Sequence, residues 1–594
     1  MNKLLLGVLL LAGGTALHSC SDEWDDHYSD SGSNAVNSTG ISLWDRLKSM
    51  PDYSAFVEKL QEYDYDRILS QNRAFTVYAP NNAAMANYVA NGQYNEKDAF
   101  VRNHIAYFNH PYNTYADTTV EMMNEKVMRI RGGLFGTNQD PNIAFVEGET
   151  NLPCRNGLIH GISGIVPYMP NIWEIIDAQA PLYSQYLHQL DEQVLNTEES
   201  TVDSISSDGQ TVYLDSVVTY NNNFWSVVGE LNTEDSSYVS IVMADDAWQA
   251  AYSQIEKSYL YYPALQGGNF WEGAGNTQSQ QDSLSRYKDA MIYQTIMRSL
   301  SYRYPQVESL LEGNYRPDYD FISSTSGRQV PKEVLKAWLE KIAANPDSVE
   351  EASNGRAYIA HSYDFANYDV AQDTISTEAE NSQRIFQVSS GASQSTVRLN
   401  TDTLSYSTYQ PEEELNNVEY YVPKTLPDGT KEKHEVSSSE YLMVGAGTAA
   451  PSIIFGVPNT LSGEYEVWIT FIPSSAARGA SQALPANIRV TTQYTTLRSE
   501  SSLALGTTRT DDFPVDARAV TKVKVGTINL GACWSGFMSA SDDLYTDATN
   551  ITGSDLFNSK YGVKITVQNR SSSNGEYDRN LYIDCIELVP HRVE

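Results

Sequence analysis

The sequence predicts a multidomain chain: two α+β units in tandem followed by an antiparallel β-sandwich or jelly roll. Three observations predict it. A capped helix start, a β-rich run that passes into a helix, and an Asn-Gly turn into a strand occur in that order, then recur in weaker form. After about Phe386 the helical patterns give way to short strand-like runs with turn punctuation. The 594 residues are 41% hydrophobic and 11% aromatic, enough to fill several cores. The expected divisions are a leader at 1–19, an acidic flexible tether at 20–39, a first unit at 40–169, a second unit with two insertions at 170–386, and the sandwich at 387–594.

The leader has Lys3 as its positive start, an apolar core from Leu4 to Leu11, and a small-residue approach from Gly13 to Ser19. Its apolar core falls short of the roughly 20 residues that a membrane-crossing helix needs, so it reads as a removable address. Leu17-His18-Ser19-Cys20, followed by Ser21-Asp22-Glu23-Trp24-Asp25-Asp26, resembles a Bacteroidetes-type lipoprotein signal. The resemblance implies cleavage before Cys20, lipidation of Cys20, and a lipid-anchored body on the extracellular side of the cell outer membrane. The alternatives are an ordinary secretory signal and a solvated acidic linker. From Ser29 to Gly40 the chain has too few apolar residues to order itself, which suits a tether.

In the first unit Ser42 caps a helix and Asp45 stands three residues on, where a capping-box partner belongs. Phe75-Thr76-Val77-Tyr78-Ala79-Pro80 reads as a strand that the proline stops, and Asn81 to Met85 as a helix start. His104 follows, and Asn156-Gly157-Leu158-Ile159-His160-Gly161-Ile162 closes the unit by a tight turn into a strand. This order resembles a fasciclin (FAS1) domain: Phe75 to Met85 matches its first signature and Asn156 to Ile162 its second. His104 matches the mid-domain Tyr-His motif, with Asn103 in place of the tyrosine. The resemblance implies a compact mixed α/β fold of adhesion proteins and does not imply catalysis.

The second copy is degenerate. Asn171 to Ile176 repeats the capped start, Val242 to Trp248 aligns without gaps to Ala79 to Met85, and Asn354-Gly355 repeats the closing turn. Met243 replaces Pro80, and no histidine recurs near the place of His104. Both spacings are longer by about 35 residues, and loops on a rigid scaffold commonly carry binding. The first insertion reads as a hairpin through Thr201 to Ile205 and Thr211 to Val217. The second carries Tyr259, Tyr261, Tyr262, Phe270, Trp271 and Tyr287; of these Tyr261, Tyr262, Phe270 and Trp271 are candidates for stacking on a sugar or anchoring a protein interface. The alternative is that they pack the insertion onto its own domain.

In the last third, Gly463 to Ile469 and the closing Leu581 to Pro590 resemble galactose-binding-like sandwich modules. Trp534 and Tyr545 are candidate solvent-side ligand residues there, beside Asp542, Asp543 and Asp547; the three carboxylates could take Ca2+ but complete no loop motif. A Cys533–Cys585 disulfide and buried free thiols are both open, and the odd Cys154 excludes a disulfide framework.

Net charge is −35, which excludes a phosphate-tracking nucleic-acid surface. No Gly-x-Ser-x-Gly, His-Glu-x-x-His or Walker-type loop occurs, and the nine histidines are scattered. No catalytic residue, metal or cofactor is implied. The expectation is a non-enzymatic surface lipoprotein that binds a glycan or peptide, or serves a SusC/SusD-like outer-membrane transporter as accessory subunit. The alternative is a structural adhesin that binds proteins or matrix; an unrecognised polysaccharide hydrolase is the third reading.

Overall fold

The computed structural model describes residues 40–86, 99–138, 140–197, 200–206, 210–262, 278–381, 385–389, 391–398, 409–415, 418–423, 440–479, 481–499, 502–535 and 561–592. Cys20 and the tether to Thr39, Phe270, Trp271, Asp542, Asp543, Tyr545 and Asp547 lie outside them.

The first unit is organised by two buried strands side by side. Phe75–Pro80 runs parallel to Gly157–Ile162, with Ile105–Tyr107 antiparallel on one flank and Leu152–Cys154 on the other. Every residue of both central strands is buried, as a parallel pair covered on two faces requires. Phe75, Val77 and Ala79 point into a core with Leu43, Leu47, Phe56 and Leu60 from the helices Leu43–Lys48 and Ser54–Glu62. Tyr78 points the other way, into a core with Phe135, Met128 and Ile143 from a four-stranded sheet between Asp117 and Ala144. The period-two alternation of one strand thus feeds two cores. Ser42 caps the first helix as expected, accepting from the Asp45 amide.

The closing turn shows why Asn-Gly stands there. Gly157 has φ +149°, and a Cβ on it would sit 1.9 Å from the Phe75 carbonyl oxygen. Asn156 is buried: its Nδ2 donates to the carbonyls of Leu69 (2.8 Å) and Gln71 (2.7 Å), and its Oδ1 accepts from the Leu43 amide (2.8 Å). One side chain therefore ties the first helix and the loop before the central strand to the closing strand.

From Asn171 onward the same geometry is built again. Tyr238–Met243 runs parallel to Gly355–Ala360, flanked by Ser301–Arg303 and Val349–Ala352, so the strand order of the first sheet recurs. Tyr238 pairs with Gly355 as Phe75 pairs with Gly157. Gly355 has φ +144° and lies equally close to the Tyr238 carbonyl. Asn354 donates to Leu231 (2.7 Å) and Thr233 (2.8 Å) and accepts from the Ile172 amide (3.0 Å). Asn171 and Glu174 form a full capping box at the helix Ile172–Gln179. The covering layer differs: between Ser301–Arg303 and Val349–Ala352, where the first unit carries its second sheet, the chain forms the helices Tyr304–Leu311 and Lys332–Ala343 and a two-stranded ribbon. The first insertion forms the expected hairpin, Thr201–Ile205 against Thr211–Asp215.

The two units meet at a buried ionic cluster. Lys126, 4% exposed, lies 2.6 Å from Glu174 and 3.3 Å from Glu234, and Ser353 donates to Glu234 at 2.6 Å.

The C-terminal region is β-rich. Its strands form two antiparallel sheets, one centred on Gly463–Phe471, Val520–Leu530 and Leu581–Pro590, the other on Ser452–Val457, Ala486–Ser499 and Val563–Asn569. Residues from both, among them Val467, Ile469, Phe455 and Ile565, share one core. The region begins earlier than residue 387: Ile375–Glu378 pairs with Leu581–Pro590, a contact between chain segments too distant for local patterning to reveal. A short helix, Ser474–Arg478, also interrupts the strands. Cys154, Cys533 and Cys585 are buried free thiols, so the Cys533–Cys585 disulfide does not form; each packs as a small apolar group. Among the described residues no helix is long and apolar enough to cross a membrane.

Candidate binding cleft

The structure turns two of the expected ligand aromatics inward. Tyr261 packs against the core of the second unit, and its hydroxyl donates to the Ser535 carbonyl at 2.8 Å. Burial pushes its phenol well up. Trp534, expected at solvent, is fully buried: its indole N–H donates to Thr495 Oγ1 at 2.8 Å, and Gly562 lies against its ring. For Trp534 the cover comes from within the β-rich region, and for Tyr261 from the seam between that region and the second unit. At the seam the Cys533 amide donates to Leu260 at 2.7 Å and Gln372 donates to Ser462 at 3.0 Å. Tyr262 is half-buried beside Tyr261. Tyr261 thus fastens the second unit to the β-rich region, while Trp534 packs within the β-rich region itself.

A different set of aromatics lines an open cleft of about 520 Å³ on the second unit. Three helices build it. Pro181–Leu187 supplies Gln185 and Tyr186, with Gln189 just beyond it. Asp245–Ile255 supplies Trp248, Gln249, Tyr252 and Ser253, two pairs four residues apart and therefore on one face. Gln278–Met297 supplies Tyr293. Trp248, 3% exposed, is the floor, and the Tyr293 ring lies over it at 5.4 Å and 9°. Tyr186 and Tyr252 stand beside Tyr293, at 4.3 and 5.4 Å between centroids. Asp245 fixes the first helix to the second by accepting from the Leu182 amide at 3.0 Å, and Lys288 reaches Glu256 at 2.6 Å across the second and third.

No residue lining the cleft is charged, and the Asp289 carboxylate stands beside it, accepting from Tyr252. Burial pushes the Tyr186 phenol up to about 12 and raises those of Tyr252 and Tyr293, so all three stay protonated at ordinary pH. Gln185, Gln189 and Gln249 are exposed at its rim, each offering amide donors and an acceptor. Motif reading missed this site because Tyr186, Trp248 and Tyr293 are far apart in the chain. The signal it did contain was the i,i+4 pairing of Trp248 with Tyr252 and of Gln185 with Gln189.

The family-position histidines are structural. His104 is fully buried; its Nδ1–H donates to Phe100 at 2.8 Å and its Nε2 accepts from the Val166 amide at 3.2 Å. His160 accepts from the Asn151 amide at Nδ1 (3.0 Å) and donates from Nε2 to His110 (2.9 Å). Burial lowers both to about 4, leaving neutral rings with each nitrogen committed. Among the described residues no group of three His, Cys, Asp or Glu side chains could hold a metal ion.

The family model of the fasciclin domain matches residues 51–167, and this segment is a FAS1-like α+β domain. No curated protein matches the chain. Among solved structures, the FAS1 domain pair of the insect cell adhesion molecule Fasciclin I is 12% identical over 54% of this chain and 99% of its own, with a TM-score of 0.17. An exo-β-1,3-galactanase from Phanerochaete chrysosporium is 14% identical over 36% of this chain, with a TM-score of 0.16; the match spans only 29% of the galactanase. A tandem CBM22 domain from Paenibacillus barcinonensis is 10% identical over 38% of this chain and 47% of its own, at 0.19. At TM-scores this low the whole chains do not superpose.

Proposed function

We propose that the protein is a non-enzymatic cell-surface adhesin, held at the outer face of the outer membrane by lipid on Cys20. The observation that carries this reading is the FAS1-like domain at 51–167, an adhesion-type module whose two family-position histidines are both spent on internal hydrogen bonds. In this reading the stretch from Asn171 to about Asp373 is a second, degenerate fasciclin-type domain. The repeated strand order, the Phe75–Gly157 and Tyr238–Gly355 pairings and the matching Asn156 and Asn354 ties support it. The β-rich region is then a sandwich, supported by its two sheets around one core.

Two experiments test the reading. Protease added to intact cells removes the body of a surface-displayed protein; digestion only after lysis removes the claim of outward display. Detergent extraction and pull-down, read by mass spectrometry, identifies the partner. Extracellular or matrix proteins support the adhesin, whereas a large outer-membrane barrel in constant ratio assigns the SusC/SusD-accessory role instead.

A further inference from the structure

We propose that the cleft on the second unit is a carbohydrate subsite for neutral pyranose units of a glycan. This rests on the surface-binder reading only for where the glycan comes from; the chemistry is that of the cleft.

Three features select the ligand. The walls are the half-exposed rings of Tyr186, Tyr252 and Tyr293, with Trp248 beneath, and an aromatic face attracts the slightly positive C–H face of a pyranose. The rim is Gln185, Gln189 and Gln249, side chains that donate and accept at once, as sugar hydroxyls do, with Ser253, whose hydroxyl donates to the Gln249 carbonyl, adding an acceptor. No lining residue is charged; beside the lining, the Asp289 carboxylate accepts from Tyr252 and Lys288 is paired with Glu256. A volume of about 520 Å³ falls in the range of small-ligand sites, about 300–1,000 Å³.

The same features disfavour the other occupants. A strand-like peptide needs a free sheet edge, and this cleft is walled by helices. An amphipathic helix needs a continuous apolar groove, whereas glutamines interrupt this one. An acidic polysaccharide meets a chain of net charge −35 with no cation in the lining to receive it.

The test titrates the full chain with neutral oligosaccharides of glucan, xylan, mannan and galactan backbone, followed by intrinsic fluorescence and calorimetry, with oligogalacturonate as the acidic control. At least one neutral backbone binds saturably, with a dissociation constant on the order of 1 mM or tighter, and the acidic control does not. Q249A and Q185A, exposed positions whose loss leaves the fold intact, each weaken binding about tenfold, and Y252A abolishes it. The proposal is overturned if no neutral oligosaccharide binds at about 10 mM, if Q185A and Q249A both bind like the parent, or if oligogalacturonate binds as well as the neutral sugars. Sugar binding by purified chain is independent of cell attachment, so the adhesin reading and this one fail separately.

Discussion

Replacing Asn156 or Asn354 by Ala is expected to destabilise its own unit, and by the same amount. Each substitution removes three hydrogen bonds of 2.7–3.0 Å and orphans one amide and one carbonyl, that of Gln71 or Thr233, while the Leu69 and Leu231 carbonyls keep the amides of Trp44 and Trp173. At a net of about 1 kcal/mol per bond the loss is about 3 kcal/mol, and burial of the orphaned groups moves it upward. Differential scanning calorimetry and hydrogen exchange on the full chain resolve which unit opens. N156A should lower protection in the strands Phe75–Pro80 and Gly157–Ile162 and spare Tyr238–Met243; N354A should do the reverse. A loss below about 1 kcal/mol in either variant, or a large loss in one and none in the other, would refute the reasoning that the two asparagines play one role in two copies of a fold.

Further outcomes follow from the buried charges and thiols. His104 and His160 sit near pKa 4 against about 6.5 unfolded, so their contribution is fully present above pH 6.5 and is lost as pH falls toward 4, roughly 3 kcal/mol per ring. The first unit should therefore melt before the second in a pH series. In the second unit His188 shifts the other way, its partial burial being outweighed by hydrogen bonds to Asp191 and Asp177. K126M leaves Glu234 buried without its cation and should cost about 3–5 kcal/mol in thermal unfolding; K126M/E234Q should recover most of it. Cys154, Cys533 and Cys585 should resist maleimide in the native protein and all label in denaturant, because burial pushes the thiols up, to about 11 for Cys154 and about 12 for Cys533.

What was legible in the sequence was whatever a short stretch of chain decides for itself. Gly157 and Gly355 are glycine because a Cβ would strike the neighbouring strand, and Asn156 and Asn354 precede them because one side chain must tie three segments. Such requirements leave marks at fixed spacing, so the closing turns and the capped helices can be read directly. The fate of an aromatic is decided elsewhere. Trp534 precedes a polar stretch yet is covered by Thr495 and Gly562, and Tyr261 is claimed by Ser535. The cleft was hidden for the same reason: Tyr186, Trp248 and Tyr293 come from three helices, and each alone is indistinguishable from a core position. The boundary near residue 375 depended on a partner strand at the far end of the chain.

If the chain is a surface adhesin, cells that carry it hold to matrix. The most direct test measures retention under flow of intact cells carrying the chain, beside cells lacking it, on surfaces coated with extracellular matrix protein. The account predicts excess retention that protease shaving abolishes. Equal retention of the two cell types, together with release of reducing ends from a polysaccharide by the purified chain, would contradict it.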